Sequence, residues 1–391
     1  MNKKNNSKKR FGILAILLLN LSFILNLSAI SVNSVDPVAP DYSGRKGVVI
    51  YVSKLGNNKD GSNWGKAYQS IQAALSAIPD DKGGHTIIIR PDTYVEANLS
   101  TAFKGAKGSY NLLIGDTDGQ FGSGATGRII IDAGDPQKGF KSYDWWSTIR
   151  ATSKGWRPEY TEETFSSIFW DRWILRNLYT SGSDAGFFWD LTNKSGEGFT
   201  VILEDCVSIG RAFGGGLCYP VVRPDEPSIF RRCYFLALDW VGDTGAVLVG
   251  GSEETMPEYP HLVMEDCTLV HPDNALATSY ASNCVRVRAV NCRMIVLNFT
   301  QPEMGGKSTG IICTQGHGAK GRLHVDLEDC TLAGYSVFTP GKDGEAVSYT
   351  TKGKVQAYVQ FSQPIPEGFE RINLWPEKLF DCIAIPMAHI K

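Results

Sequence analysis

The sequence predicts an all-β solenoid, a fold in which short strands of successive coils stack side by side. The main observation is a short motif of apolar residues, one or two polar residues and then a cysteine, which returns at intervals of 25 to 38 residues. A repeat of about 25 residues, lengthened by insertions, is typical of solenoids. The motif ends at Cys206, Cys233, Cys267, Cys292 and Cys330, and Leu178 takes the cysteine place in an earlier copy.

Each motif has the composition of a bend between two strands. Apolar residues precede the polar residues, and alternating residues such as Val207 and Ile209 resume a strand after the cysteine. We therefore expect the polar residue before the cysteine, for example Asp205 or Asn291, to lie where the backbone turns.

A second marker returns with the same rhythm and indicates a third strand in each coil. Gly186, Gly216, Gly245 and Gly310 each precede a run of strand composition, and Ala277 takes the glycine place in the coil between. Three strands per coil make each strand the parallel neighbour of its copy one coil later, and such sheets bury one face inside the solenoid.

These repeats resemble the right-handed parallel β-helix of the pectate-lyase-like superfamily, a group of mostly secreted proteins that act on polysaccharides. They extend over about residues 170 to 335, and the stretch from Val48 to Tyr94 is similar to the first segment of that family. The resemblance implies a single-stranded right-handed parallel β-helix with an N-terminal capping helix.

The N-terminus has the composition of a targeting segment. Basic residues up to Arg10 are followed by an apolar stretch at 11–27 and by a small-residue cleavage candidate at 29–31. The alternative is an uncleaved membrane anchor, because about 17 residues approach spanning length, although Asn20 and Asn26 weaken it. We expect a secreted, periplasmic or cell-surface protein without stable membrane insertion after signal cleavage.

One long domain is the simplest organisation for the rest of the chain, because a solenoid grows by adding coils and needs no second core. The predicted boundaries are a signal peptide 1–31, a linker 32–46 and a β-helix domain 47–391, divided into an N-terminal cap 47–80, coils at about 85–335 and a C-terminal cap 336–391.

The N-terminal cap is predicted from a strand and a helix. Val48 to Val52 has strand composition, and Trp64 to Ile78 carries one apolar stripe that ends at Pro79. Such a helix can cover the open end of a solenoid. Further strands are expected at 86–90, 112–114 and 128–131, and a Trp-rich insertion at 135–172.

The charge balance argues against nucleic acid as a partner. The net charge is −2 at pH 7, with 39 Lys and Arg against 41 Asp and Glu, so the chain offers no basic field. With 42% hydrophobic residues it can fill a long core. The expected partner is a polysaccharide, and a monomer is expected.

The nine cysteines do not indicate a disulfide framework. The five motif cysteines would stack about 4.8 Å apart on neighbouring strands, with parallel Cα–Cβ bonds that do not suit a disulfide. We expect a reduced, buried ladder of small apolar side chains. The states of Cys218, Cys284, Cys313 and Cys382 stay open.

Lengthened turns predict a groove. They fall beside the strands that follow the glycine markers, and a flat repeating surface between high walls suits an extended chain molecule; drift in loop length is the alternative. The turns are 223–228, 251–261, 271–277 and 297–309.

Aromatic residues at the third place after the marker are candidates for sugar stacking. Trp189, Tyr219 and Tyr280 would offer ring faces to sugars if they point outward, and would be core if they point inward. The sequence alone does not show which alternate side chains of the strand point outward.

Two reaction classes compete at such a groove. A lyase needs a base and a cation that neutralises a uronate carboxylate, whereas a hydrolase needs two carboxylates across the scissile bond. The cations beside the predicted groove are Arg223, Arg286, Arg288, Lys307, His317 and Lys320. The carboxylates there are Asp190, Asp225, Asp239, Asp243 and Asp273.

The catalytic motifs of the family are not complete in this chain. Gly316-His317-Gly318 resembles an element of polygalacturonase-type glycosidases, but their Asn-Thr-Asp-Gly and Asp-Asp elements are missing from the preceding coils. The Trp-Ile-Asp-His element of pectate lyases is absent as well, and no clustered Asp set argues for their calcium site. The cofactor therefore stays unknown, with calcium as an open alternative, and no metal ligand is predicted.

The sequence thus predicts an exported carbohydrate-active protein that cleaves an anionic polysaccharide by β-elimination. A glycoside hydrolase on the same fold and a non-catalytic glycan-binding or surface protein are the alternatives. The predicted catalytic residues are Asp243, His317, Lys320 and Arg223. The predicted substrate-binding residues are Trp189, Asp190, Tyr219, Tyr280, Arg286, Arg288 and Lys307.

Overall fold

A computed structural model describes most of the chain after the N-terminal segment. The described residues are 44–134, 147–152, 170–190, 198–218, 221–238, 245–278, 283–297, 310–314, 322–339 and 346–373. Among them, no helix is long and apolar enough to cross a membrane.

Short strands dominate the described residues. The strands up to the first long one are β1 (Val49–Val52), β2 (Thr86–Ile89), β3 (Asp92–Val95), β4 (Asn111–Gly115), β5 (Ile129–Asp132), β6 (Ser147–Thr152), β7 (Trp173–Arg176) and β8 (Leu178–Asp190). The middle strands are β9 (Val201–Glu204), β10 (Val207–Cys218), β11 (Ser228–Arg231), β12 (Tyr234–Ala237), β13 (Gly245–Val249), β14 (Leu262–Glu265), β15 (Thr268–His271) and β16 (Leu276–Thr278). The last strands are β17 (Cys284–Val290), β18 (Arg293–Val296), β19 (Gly310–Thr314), β20 (Arg322–Glu328), β21 (Thr331–Gly334), β22 (Ser336–Phe338), β23 (Val347–Lys352), β24 (Gln356–Val359) and β25 (Glu370–Arg371).

The strands pair in parallel and build three sheet faces. The first sheet has the order β1-β2-β4-β7-β9-β11-β14-β17-β20-β23. The strands after each polar corner form the second sheet, and those after the next bend form the third sheet; β8 and β10 are long enough to belong to both. Each strand pairs with its copy one coil away, which confirms the predicted parallel β-helix.

The polar corner lies between the first and second sheets. The residue before each cysteine, or before Leu178, has a positive φ of 50° to 60°, in the left-handed region. Asn and Asp adopt this conformation more readily than other non-glycine residues, and they occupy most of these corners. The predicted backbone bend is therefore confirmed. The corner residues are Asn177, Asp205, Arg232, Asp266, Asn291 and Asp329.

The motif cysteines form the predicted ladder. All five are free and buried, and each Sγ donates to the carbonyl oxygen two residues earlier at 3.2 to 3.4 Å. Each thiol thus binds a carbonyl at the corner, where the left-handed residue interrupts the regular strand.

Columns of apolar side chains fill the interior of the first sheet. Leu175, Leu203, Phe230 and Met264 occupy one inward column on consecutive strands and are fully buried. Burial of each such side chain contributes about 1.5–3 kcal/mol.

The N-terminal helix is shorter than the sequence predicts. Trp64–Lys66 is a single 3-10 turn, and α1 spans Ile71–Ser76. The two are separated because Tyr68 pairs with β1, its N–H donating to the Tyr51 carbonyl. The Ser70 hydroxyl caps α1 by accepting from the Ala73 N–H.

The helix still performs the predicted capping. Ile71, Ala74 and Leu75 of α1 are fully buried against the first coil. The Glu96 carboxylate also accepts from the first two N–H groups of α1, at 2.7 and 2.9 Å. An amphipathic segment thus covers core that the first coil would otherwise expose.

The coils continue beyond the boundary at 335 that the sequence predicts. β22, β23 and β24 pair in register with β19, β20 and β21 and so complete another coil. The rings of Phe338, Tyr349 and Phe369 then lie 5.0 to 6.2 Å apart near this end of the core.

The glycine markers return in successive coils but do not share one register position. Gly216 pairs with Phe188, whereas Gly245 pairs with Phe213, three residues earlier on the same strand as Gly216. Register in a parallel sheet is set by the side chains that the interior buries, and the bend between the second and third sheets varies in length.

Candidate functional site

Variable connections border the third sheet, and a mostly short one lies away from it. At the corner from the first to the second sheet, thirteen residues, 116–128, join β4 to β5, but from β7 onward this corner takes one to three residues. In contrast, twelve residues, 250–261, join β13 to β14, and 297–309 join β18 to β19. Three of the predicted long turns, 223–228, 251–261 and 297–309, therefore adjoin the third sheet.

The outward side of the third sheet is apolar in its described part. Phe188, Leu248, Ala277 and Cys313 lie in one outward column, and all but the partly exposed Phe188 are buried. At Gly216 the same column has no side chain; a Cβ there would lie 2.4 Å from the Phe188 ring. The ring of Phe188 thus lies over the neighbouring strand because a glycine leaves space for it.

Trp189 points into the core, which corrects its predicted role in sugar binding. Its side chain is 0% exposed and its ring is stacked on Phe187, with centroids 6.3 Å apart. Successive side chains alternate across a strand, so the partly exposed aromatic residue is the preceding Phe188. No sugar can reach the Trp189 ring in this arrangement.

Arg223 is held in a bidentate ion pair. Its Nη1 and Nη2 donate to Asp171 Oδ1 and Oδ2 at 2.7 and 2.9 Å, and Nη2 also donates to the Gly198 carbonyl. Asp171 is 2% exposed and also accepts from the Thr200 N–H. The guanidinium fastens the 221–227 connection to the first sheet, which argues against its predicted role as a free catalytic cation.

A second ion pair lies beside the first. Arg172 donates from Nη2 to Glu226 Oε2 at 2.8 Å, and the Tyr110 hydroxyl donates to Glu226 Oε1 at 3.1 Å. Burial alone would raise the pKa of Glu226, but the hydrogen bond and charge of Arg172 outweigh it and leave that pKa lowered. The two carboxylates and two guanidinium groups balance in charge, so this cluster is a structural clamp.

Arg286 and Arg288 lie on the first sheet, away from the groove where the sequence predicts them. Arg286 makes a bidentate pair with Asp326, at 2.8 and 3.1 Å. Arg288 donates to Glu328 at 3.1 Å and its side chain is 50% exposed. Both arginines bind carboxylates of the next strand, which reduces their availability for a uronate.

A buried histidine and a carboxylate were missed by sequence reasoning. His261 is buried, and its Nε2 lies 2.6 Å from Glu253 Oε2. Since His261 Nδ1 accepts from the Arg286 N–H, the hydrogen lies on Nε2 and is donated to Glu253. Glu253 also accepts from the Val222 N–H at 2.8 Å, so the pair ties two connections of neighbouring coils together.

The turn at 271–277 is held by a buried imidazole. His271 Nδ1 accepts from the N–H groups of Asp273 and Asn274 at 2.8 and 3.0 Å. Burial lowers the pKa of His271 to about 3. The ring is therefore neutral at physiological pH and supports a turn, and Asp273 is buried beside it.

Most of the predicted site residues lie outside the described residues. They fall in segments that enter or leave the third sheet: Asp239, Asp243, Tyr219, Tyr280, Lys307, His317 and Lys320. Asp190 ends β8, and its side chain is likewise outside the description. Asp225 is an exposed turn residue.

No metal centre is found in the part of the chain that the structure describes. There, no group of three or more His, Cys, Asp or Glu side chains is arranged to hold an ion. The strand pairing and the loop pattern together define the chain as a parallel β-helix protein.

Comparison with known proteins finds similar solved structures but no match in sequence. No family model matches the chain, and no curated protein matches it in sequence. Among solved structures, the chain is similar to pectate lyase Pel9A (13% identity, covering 85% of this chain and 76% of that one, TM-score 0.48). It is also similar to a rhamnogalacturonan lyase (13% identity, covering 80% of this chain and 74% of that one, TM-score 0.47). A third similar structure is the pectin methylesterase of Aspergillus niger (12% identity, covering 85% of this chain and 92% of that one, TM-score 0.39). Likeness of this degree concerns the course of the backbone and carries no inference about activity.

Proposed function

We propose that this chain is an exported carbohydrate-active protein that cleaves an anionic polysaccharide by β-elimination, with the third sheet as its substrate surface. The observation that supports this is the uneven distribution of connection lengths. From β7 onward the corner remote from the third sheet takes one to three residues, whereas the connections that adjoin that sheet reach thirteen residues. A flat strand surface that is bordered by long connections suits an extended, repeating ligand.

The predicted catalytic residues lie in sequence segments directly before or after strands of the third sheet. Asp243 belongs to the segment that enters the third sheet before β13, and His317 and Lys320 belong to the segment that leaves it after β19. A substrate that contacts both segments must cross the strands of this sheet. This arrangement favours a chain molecule over a small ligand.

In β-elimination, His317 would act as the base that removes the proton α to a uronate carboxylate, and Lys320 would neutralise that carboxylate. We keep Asp243, Asp190, Tyr219, Tyr280 and Lys307 as proposed contacts to the sugar chain. Arg223 does not take part in this proposal because its guanidinium binds Asp171.

A non-catalytic glycan-binding protein is the second candidate. It is favoured by the apolar outward column of the third sheet, in which the described side chains carry no charge. Among them, the partly exposed Phe188 ring is the one that can reach the C–H face of a sugar without performing chemistry, since Leu248, Ala277 and Cys313 are buried.

The test is to incubate the purified chain with a panel of uronate polysaccharides and to follow both ultraviolet absorbance and reducing ends. Gain of absorbance from unsaturated products supports elimination. New reducing ends without absorbance indicate a hydrolase that uses two carboxylates. Binding seen by tryptophan fluorescence, with no product over days, indicates the glycan-binding alternative.

Single variants test the assigned residues. His317→Ala and Lys320→Ala are expected to lower kcat/KM by about 100-fold or more, the usual scale for a lost acid–base group. The matched control is Lys354→Ala, an exposed lysine at the corner opposite the third sheet. Full turnover in both groove variants would remove these residues from the site.

A further inference from the structure

A second cluster of reactive side chains lies on the outward side of the first sheet, near its C-terminal end. His324 and Asp326 are two residues apart on β20 and therefore share one face. Ser348 on β23 is the register partner of His324 on the neighbouring strand. All three side chains are placed by regular backbone, and none belongs to the proposed groove.

The distances join these side chains into a chain of hydrogen bonds. Ser348 Oγ lies 2.9 Å from His324 Nδ1, and His324 Nε2 lies 3.1 Å from Asp326 Oδ1. An ionised carboxylate only accepts hydrogen bonds, so in the neutral imidazole Nε2 carries the hydrogen and Nδ1 is the acceptor. The Ser348 hydroxyl then donates to Nδ1, as a serine paired with a general base does.

The carboxylate is held in place by two further donors. Arg286 binds it through Nε and Nη2, and the Thr350 hydroxyl donates to Oδ1 at 2.7 Å. Burial alone would raise the pKa of Asp326, but the hydrogen bonds from Arg286 and Thr350 outweigh it and lower that pKa to about 2. Asp326 is therefore ionised at neutral pH and fixes the tautomer of His324.

The cluster is accessible from solvent. Ser348 is exposed, and the side chain of His324 is 17% exposed. This differs from His261 and His271, which are buried. Among the described histidines, His324 is thus the one that combines a serine partner, a carboxylate partner and access for a reactant.

We propose that Ser348, His324 and Asp326 form a second active site that hydrolyses small carboxylic esters, with Ser348 as nucleophile, His324 as general base and Asp326 as positioning residue. The site is independent of the proposed groove activity. Small acyl groups are the expected class, because the nucleophile projects from an open strand face.

The chemistry balances without any added cofactor. Ser348 Oγ attacks the ester carbonyl carbon, and its proton moves to His324 Nδ1. The carbon–oxygen bond to the alcohol then breaks, and the alcohol leaves with that proton, so Ser348 carries the acyl group. Water attacks the acyl-serine by the same route, which releases the carboxylic acid and restores the hydroxyl.

Two measurements on the purified full chain test the proposal. Hydrolysis of 4-nitrophenyl acetate is expected to fall by about 100-fold or more in Ser348→Ala and in His324→Ala. Ser362→Ala is the matched control, because this exposed serine contacts Gln360 and no histidine. A fluorophosphonate probe is expected to label Ser348, as mapped by peptide mass spectrometry, and to lose this labelling in His324→Ala.

The positioning role has its own readout. Asp326→Asn is expected to lower kcat for the acetate ester with KM unchanged, and Asp326→Glu is expected to restore part of kcat. Ester hydrolysis that is equal in Ser348→Ala and the unaltered chain would overturn the proposal, and so would probe labelling at another residue. Thermal unfolding of each variant separates loss of chemistry from loss of fold.

Discussion

Phe188 and Trp189 are adjacent aromatic residues with opposite environments. The Phe188 ring lies on the outward side over Gly216, whereas Trp189 is fully buried. The run Phe187-Phe188-Trp189 is apolar throughout, so its composition does not show which ring points inward. Only the register with neighbouring coils decides it.

We expect Trp189→Ala to destabilise the protein much more than Phe188→Ala. Removing a fully buried tryptophan side chain costs about 3–5 kcal/mol, because a cavity remains. Phe188 is partly exposed, so its substitution by alanine removes less buried apolar surface and costs less free energy of unfolding. Urea unfolding followed by circular dichroism measures both, and equal destabilisation by the two substitutions would contradict the assigned pleat.

Three arginines that the sequence predicts as free cations are ion-paired in the structure. The sequence does not show which carboxylates Arg223, Arg286 and Arg288 bind, so all three look like free cations. Their partners are far away in sequence; Arg223, for example, binds Asp171, 52 residues earlier. Stacking of coils brings such groups together, and it converts the predicted cations into ion pairs.

At the scale of the element, the cysteine ladder is a continuous feature of five corners. Burial is the main cause that raises the pKa of Cys233, Cys267 and Cys292. The thiol one coil earlier raises this pKa further, whereas the thiol one coil later lowers it. The thiolate is the reactive form of cysteine. The ladder is therefore chemically inert while the coils remain folded.

We expect the described thiols to be unreactive in the native protein. In a Cys382→Ala chain at about pH 8, where a free thiol is partly ionised, Ellman's reagent should modify none of the eight described thiols within minutes. All eight should react after unfolding in guanidinium chloride, and one fewer in the double variant with Cys267→Ala. Rapid modification of the native chain, or a disulfide seen by mass spectrometry, would disprove the ladder.

The ion pairs on neighbouring strands β17, β20 and β23 make the stability of the first sheet depend on pH. The pKa of Asp326 is lowered to about 2 from its ordinary value of 3.8. Because the folded-state pKa is depressed, this carboxylate stabilises the fold above its unfolded pKa. That contribution is lost as the pH falls from about 4 to about 2.

We expect Asp326→Asn to reduce the acid sensitivity of the protein. The difference in free energy of unfolding between the unaltered chain and Asp326→Asn should be larger at about pH 5 than at about pH 2.5. Asp118→Asn, an exposed loop carboxylate, is the control. Urea titrations at the two pH values measure this, and an unchanged difference would refute the assigned ion pair.

On the scale of the whole molecule, the two ends of the solenoid determine whether the protein self-associates. Ends of a stack of coils expose core and unpaired strand edges, which promote association. Here α1 covers the first coil, and Phe338, Tyr349 and Phe369 lie together near the end of the described coils. Within residues 44–373, both ends are therefore lined by residues that the repeating motif does not contain.

We expect Phe369→Ala to open the C-terminal end. Its ring packs edge-on against Phe338 and Tyr349, so its loss should lower the melting temperature by a few degrees and promote self-association. Size-exclusion chromatography with light scattering measures the association. Phe361→Ala, which removes a 90% exposed ring, is the control and should remain like the unaltered chain.

The sequence by itself determined the repeat, the corner and the cysteine ladder. These follow from local chemistry, since Asn and Asp tolerate a positive φ and small apolar side chains fit a stacked corner. The capping segment was also predictable from its apolar stripe, although its helix is interrupted where Tyr68 pairs with β1.

Tertiary structure alone decided the pleat at Trp189, the register of the glycines, and the partners of Arg223 and Arg286. It also brought Ser348 beside His324, which lies 24 residues earlier. In each case the deciding contact joins residues of different coils. Its register depends on the lengths of the intervening connections and on which side chains the interior buries, and no single stretch of sequence contains both.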